Sequence, residues 1–233
     1  MTTTRAALLA LVVAVAGCGF APTDSGAGPD APAIDARAID APAASDAPGI
    51  PDAPADAAAE LLAENTSLAP ATGDAVYCHG TQLSRDNHWY RAFRLSDYGV
   101  AGTFHVADAR VPSERCRGAA VTVSIYEYAG AWGATSLDVS TLALVATATA
   151  TPPDSDAPQA LVKAIAADVT GTFVVEVAAV DTQTSTGTQL TYFHLGANQA
   201  GQTAPNYYRS AACGVDPPAG QSSDAVIAVD GTP

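Results

Sequence analysis

Residues 119–128, AAVTVSIYEY, alternate between two kinds of side chain: Val121, Val123 and Ile125 against Thr122, Ser124 and Tyr126. Alternation at period two is the mark of a strand with one face buried. TGTFVVEVAAVD, residues 170–181, reads the same way, with Phe173, Val175 and Val177 on one side. NHWYRAFRL, residues 87–95, divides Trp89, Arg91 and Phe93 from Tyr90, Ala92 and Arg94. Further strands are predicted in DAVYCHG (74–80), GTFHVADARV (102–111), STLALVATATAT (140–151), ALVKAIAADV (160–169), QLTYFHLG (189–196) and DAVIAVDG (224–231). Clusters of Gly, Pro, Asp and Ser separate them, and helical periodicity is almost absent. The expected fold is all-β: an antiparallel, jelly-roll-like β-sandwich over residues 61–233, long enough to bury its own core.

The pattern upstream is different. Arg5 precedes an apolar run of 11 residues, Ala6 to Ala16. A membrane-spanning helix needs about 20 apolar residues, so residues 1–17 are read as a signal peptide. Ala14-Val15-Ala16 would suit ordinary cleavage, but Val15-Ala16-Gly17-Cys18 resembles the bacterial lipobox, whose cysteine is lipidated and becomes the mature N-terminus. Cys18 is thus the expected lipid attachment site. Each buried methylene contributes about 0.8 kcal/mol, and two or three acyl chains anchor stably where one does not. Residues 18–60 are expected to form a disordered tether in which Asp-Ala recurs at Asp30, Asp35, Asp40, Asp46, Asp52 and Asp56 with prolines between. No apolar face recurs there, so it has no core to bury. Only DAAAELLAEN (56–65), at its end, is expected to make a helical turn.

Charge narrows the partners. The chain has 24 acidic and 10 basic residues, a formal net charge of −14, and a single lysine, Lys163. Nucleic acid is therefore excluded as an expected partner, because phosphate neutralisation needs a basic patch. With Cys18 lipidated, Cys78, Cys116 and Cys213 remain, enough for one bridge in an exported domain. Three pairings are open, of which Cys78–Cys213 is favoured because it would tie the first strand to a late loop.

No catalytic signature appears. There is no H-E-x-x-H, no G-x-S-x-G and no phosphate-binding glycine loop. No zinc-type spacing of Cys or His occurs either, so no metal site is assigned. His88, His105 and His194 fall inside predicted strands, where a packed or half-exposed role is expected. SRDNHWYRAFRLSDYG (84–99) is the densest polar-aromatic stretch. Asp86, Asn87, Trp89 and Tyr90 could form a platform that stacks on a sugar face, and Asp86 with Asn87 could offer oxygens to calcium. The competing reading buries Trp89 or Tyr90 in the core. HLGANQAGQTAPNYYRSAACGV (194–215) reads as a long polar loop, with Tyr207 and Tyr208 as further candidate ligand contacts.

DNHWYRAFRLSDYGVAGTFHVADARV, AAVTVSIYEY, GTFVVEVAAVDTQ and the 194–215 stretch, taken in order, resemble a family of uncharacterised secreted bacterial β-sandwich modules, often appended to extracellular peptidases and other hydrolases. The resemblance spans about residues 75 to 230 and implies an accessory, non-catalytic sandwich. The family's first cysteine and late Cys-Gly pair fit Cys78 and Cys213-Gly214; Cys116 lies outside its pattern. The expected function is a lipid-anchored cell-envelope protein that binds a glycan or an envelope or extracellular protein, without catalysis. The alternatives are an extracytoplasmic hydrolase of unrecognised type and a passive structural component.

Overall fold

The structure, a computed structural model, describes residues 58–79, 85–179 and 191–233. The signal peptide, Cys18 and nearly all of the expected tether lie outside the described residues. In chain order the strands are β1 (Glu60–Ala63), β2 (Asn87–Arg94), β3 (Thr103–Arg110), β4 (Ser113–Arg117), β5 (Val121–Tyr128), β6 (Leu142–Ala150) and β7 (Val162–Thr170). They continue with β8 (Thr172–Ala179), β9 (Tyr192–Leu195), β10 (Ala197–Asn198), β11 (Asn206–Ser210), β12 (Val215–Gly220), β13 (Asp224–Ala225) and β14 (Ala228–Thr232). A six-stranded antiparallel sheet runs β12-β11-β2-β8-β5-β6, and a four-stranded one runs β1-β14-β3-β7. Two small ribbons, β4-β9 and β10-β13, complete the all-β sandwich. Helical structure among the described residues is limited to three short 3-10 turns.

The alternation seen in the sequence sets the two faces of the large sheet. Phe93 stands opposite Phe173 and Trp89 opposite Val177 across β2–β8, while Val123 and Ile125 of β5 face Val177 and Val175. The Phe93 and Phe173 rings stack with centroids 5.1 Å apart. Across the core lie Phe104, Ile165, Val169, Ile227 and Val229 on or beside the smaller sheet. β3 keeps its apolar residues inward only because its pairing with β7 shifts between Val106 and Asp108. The extra residue there carries burial from Phe104 and Val106 to Ala109 and Val111, across a change of parity that strict alternation forbids.

A charged residue sits in this interior. Arg91, fully buried, donates to the carbonyls of Ala204 and Ala225 and to the side chains of Gln202 and Asn65. Burial depresses its pKa to about 10, with Glu64 and Asp224 opposing the shift. The guanidinium thus draws the loops at one end of the sandwich onto β2.

Several elements differ from the sequence expectation. Residues 60–63 form strand β1 on the edge of the small sheet, not a helical turn, because Leu62 drops fully into the core when paired with β14. DAVYCHG holds no strand over residues 74–78. There the Asn87 side chain accepts from the Cys78 N–H at 2.5 Å and donates to its carbonyl at 3.0 Å, and the Trp89 indole N–H donates to Val76 O at 2.7 Å. The expected long loop at 194–215 contains β10 and β11. Asn206, Tyr208 and Ser210 alternate into the interior, a period masked by their polar character. The Pro-containing strand β12 lies at the sheet edge, as proline requires, and the loop before β6 covers it through Leu137 N–H to Pro218 O and Gly220 N–H to Thr135 O.

A disulfide joins Cys78 and Cys213, with Cα atoms 5.9 Å apart. Cys116 is free and fully buried in β4. Burial raises its thiol pKa, which suits a packing role over a reactive one.

Candidate functional site

The large sheet has an outer face as well as a core face, and it is divided into two halves. One half is a small aromatic cluster of Tyr90, Ala92, Val174 and Tyr207, closed over by Tyr128 and Leu137. The loop that covers it is fixed by Tyr207 Oη to Ala134 O at 2.9 Å and Tyr128 Oη to Ala131 O at 3.2 Å. Gly130 makes this closure possible: a Cβ there would stand 2.5 Å from the Tyr128 ring. Arg94 lies over the Trp132 ring at 4.8 Å on the rim.

The other half is polar: Glu176 and Ser124 are buried in it, while His88, Tyr126 and Asp86 are partly exposed. Glu176 of β8 stands between Tyr90 of β2 and Ser124 of β5 in the ladder. Its Oε1 meets His88 Nδ1 at 2.7 Å, and its Oε2 accepts from Tyr126 Oη at 2.6 Å. His88 Nε2 meets Asp86 Oδ1 at 2.8 Å. Carboxylate oxygens only accept, so His88 satisfies both neighbours as an imidazolium. Burial alone would lower its pKa; the hydrogen bond and charge of Glu176, then Asp86, outweigh that and raise it. Burial would raise the Glu176 pKa, but His88, Tyr126 and Tyr90 together hold it below the ordinary value. Tyr90 is pushed far up by burial and by Glu176, with Arg209 acting in the opposite sense. Arg209 in turn pairs with Asp216 at 3.2 Å on the rim.

The six candidate ligand contacts separate. Asp86 stands at the polar half, and Tyr90 and Tyr207 lie on the outer face beneath the loop. Asn87, Trp89 and Tyr208 point the other way, into the core: Trp89 is 2% exposed, and Tyr208 Oη donates to Asn87 Oδ1 at 2.6 Å. A buried indole offers no face to a sugar. Of the two residues considered for calcium, Asn87 has its Oδ1 engaged by the Cys78 N–H and Tyr208 Oη, and Asp86 has one oxygen on His88. Among the described residues no group of three or more His, Cys, Asp or Glu is arranged to hold a metal ion. Asp86 and Glu176 bind opposite nitrogens of one ring, so they do not converge on a common point.

His88, Glu176, Tyr126 and Arg209 are the site residues that sequence reasoning missed. The one available clue was a glutamate amid valines in FVVEV, an unfavourable place for a charge unless a cation stands across the ladder. No family model, curated protein or solved structure matches the chain.

Proposed function

We propose that this is a bacterial lipoprotein, anchored in the cell envelope through Cys18, that displays a non-catalytic β-sandwich to bind a glycan or an envelope or extracellular protein. The observation that carries the reading is the polar half of the outer face, where Asp86 and His88 reach solvent at the edge of a buried network. Asp86 stands there partly exposed, anchored by His88 to a cross-strand network on a broad sheet. Such a surface suits recognition of an extended polar ligand. A general acid and base would have to reach a shared reacting atom, whereas Asp86 and Glu176 are each engaged by His88 from opposite sides. The lipobox and the acidic Ala-Asp-Pro stretch after it agree with display at a distance from a membrane, and the resemblance to secreted accessory sandwiches agrees with binding.

Two measurements test this. Intact mass of membrane-purified protein is expected to equal a chain beginning at Cys18 plus acyl groups, and a Cys18→Ser variant is expected to leave the membrane fraction. An unmodified chain in the membrane fraction would refute the anchor. A panel of glycans and envelope proteins is expected to yield at least one ligand whose binding weakens in Tyr126→Phe or Asp86→Asn; no binding across the panel would refute the recognition role.

A further inference from the structure

The β4–β9 ribbon carries a second cluster, away from the network just described. β4 and β9 pair so that Arg115 stands opposite His194 and Arg117 opposite Tyr192. These four side chains share one face. The intervening Cys116 and Phe193 turn into the core, where Phe193 meets Trp89 edge to face. Both guanidinium carbons lie 5.8 Å from the Tyr192 ring centroid. Tyr77 stacks on His194 with centroids 3.5 Å apart and planes 17° apart. Two arginines thus lie side by side within a wall of three rings, on a protein of net charge −14.

The two arginines are not equivalent. Arg117 pairs with Asp156 at 3.2 Å, and Asp156 also accepts from Tyr192 Oη at 2.7 Å. Arg115 uses Nε on His194 Nδ1 at 3.0 Å and Nη2 on Tyr77 Oη at 3.4 Å. Among the described residues it meets no carboxylate at ion-pair distance; Glu114, next to it in β4, turns inward and accepts from the Ala75 N–H. The Nη1–Nη2 edge of Arg115 therefore keeps free N–H groups in the planar fork that binds a carboxylate bidentately. His194 adds no charge, because burial, and then Arg115 and His79, lower its pKa to about 3.

We propose that this face is a subsite for an acidic sugar: the carboxylate of a uronic acid docks on Arg115, and its pyranose C–H face lies against the adjoining rings. The assignment rests on the binding role proposed above and gives it a ligand class. A uronate combines a planar anion with an apolar ring face, which matches a fork set beside tyrosines. An acidic peptide side chain brings the anion without the ring face, and a neutral sugar the ring face without the anion.

The test uses the full-length chain carrying Cys18→Ser, titrated calorimetrically with tetragalacturonic acid, with the neutral tetragalactose and with tetraglutamate. Tetragalacturonate is expected to bind at least tenfold more tightly than either control, and more weakly as salt rises. Arg115→Gln is expected to weaken it about 10- to 100-fold, the range for one charge-assisted bidentate contact. Arg115→Lys, with charge but no fork, should recover only part of that loss. Thermal melts of each variant identify any that fail to fold, and Tyr192→Ala, which removes a ring and leaves the Arg115 bonds intact, then serves as an independent second variant. Equal binding of tetraglutamate or tetragalactose would overturn the acidic-sugar assignment, as would affinity unchanged in Arg115→Gln. No tetragalacturonate binding, with another panel ligand bound, would overturn the subsite and leave the broader recognition role standing.

Discussion

His88 and His194 sit on different strands of one sandwich and are shifted in opposite directions, one toward the imidazolium and one toward the neutral ring, for reasons visible in their neighbours. His88 is flanked by two carboxylates, at 2.7 and 2.8 Å, and must donate at both nitrogens. His194 takes an N–H from Arg115 at 3.0 Å and must accept there, so it stays neutral. Burial pushes both the same way, toward the uncharged ring. The side chain on the neighbouring strand decides the outcome: Glu176, diagonal to His88 in the β2–β8 ladder, reverses the effect of burial there, and Arg115, directly opposite His194, reinforces it. A histidine's role in a sheet is thus a property of register more than of its own strand.

The comparison can be broken most forcefully at Glu176. Glu176→Ala removes the buried acceptor of His88 and Tyr126 and is expected to destabilise the fold by about 2–4 kcal/mol in urea unfolding at pH 6, the usual range for leaving a buried charge without its partner. A loss under about 0.5 kcal/mol would show that the network contributes little. His194 acts next. Its folded pKa of about 3 lies below the unfolded value of 6.5, so its contribution is present above pH 6.5 and is lost as pH falls. Each pH unit in that interval removes about 1.4 kcal/mol from this one group. His194→Gln, which can still accept from Arg115, should therefore show a shallower acid limb; an unchanged limb would contradict the neutral assignment.

His88 has the opposite sign. Its raised folded pKa makes its contribution complete below the unfolded value of 6.5 and lost as pH climbs through the folded one. Glu176, held low, contributes above its ordinary value of 4.5 and loses that contribution as pH falls through its folded pKa. The pair is at full strength between these limits. The stability difference between wild type and His88→Gln is expected to be largest near pH 5.5 and to shrink at alkaline pH, read from unfolding midpoints across a pH series. Asp86→Asn should have the smallest effect, under about 1 kcal/mol and weaker in high salt, because Asp86 is 39% exposed and its ion pair is screened.

These contrasts also mark what the sequence made legible. The faces of β2, β5 and β8 were readable because apolar residues recur at every second position there, despite Arg91 on the core face and Val174 on the outer one. β11 was not, because Asn206 and Ser210 face the core while looking like loop residues, their inward turn depending on partners far along the chain. β1 was misjudged because Ala, Glu and Leu favour helix locally while pairing with β14 decides otherwise. The candidate sites suffered most. Trp89 and Tyr90 are adjacent in sequence and lie on opposite faces, and the groups that join His88 come from residue 176 on one side and residue 86 on the other. Asp86 stands two residues away, but only cross-strand register brings Glu176 to the ring, and no local pattern encodes that.

The pairing of β1 with β14 has a mechanical consequence. Any load arriving from upstream enters at Glu60, opposite Gly231, and acts on a four-residue strand at the edge of the smaller sheet. Pulled from that end, an antiparallel edge strand opens like a zip, one rung at a time, where a sheared pair would resist on all rungs together. Beyond β1 the segment is held by backbone links from Glu64 to Thr203, Thr66 to Gly201 and Ala71 to Ala197, and by side-chain bonds that include Asn65 to Arg91 and Asn198 to Ser67 and Ala69. At Cys78 the path meets the covalent bond to Cys213. Residues 60–71 thus stand ahead of a covalent clamp, and lengthening there would leave in place Tyr77, which stacks on His194 and accepts from Arg115.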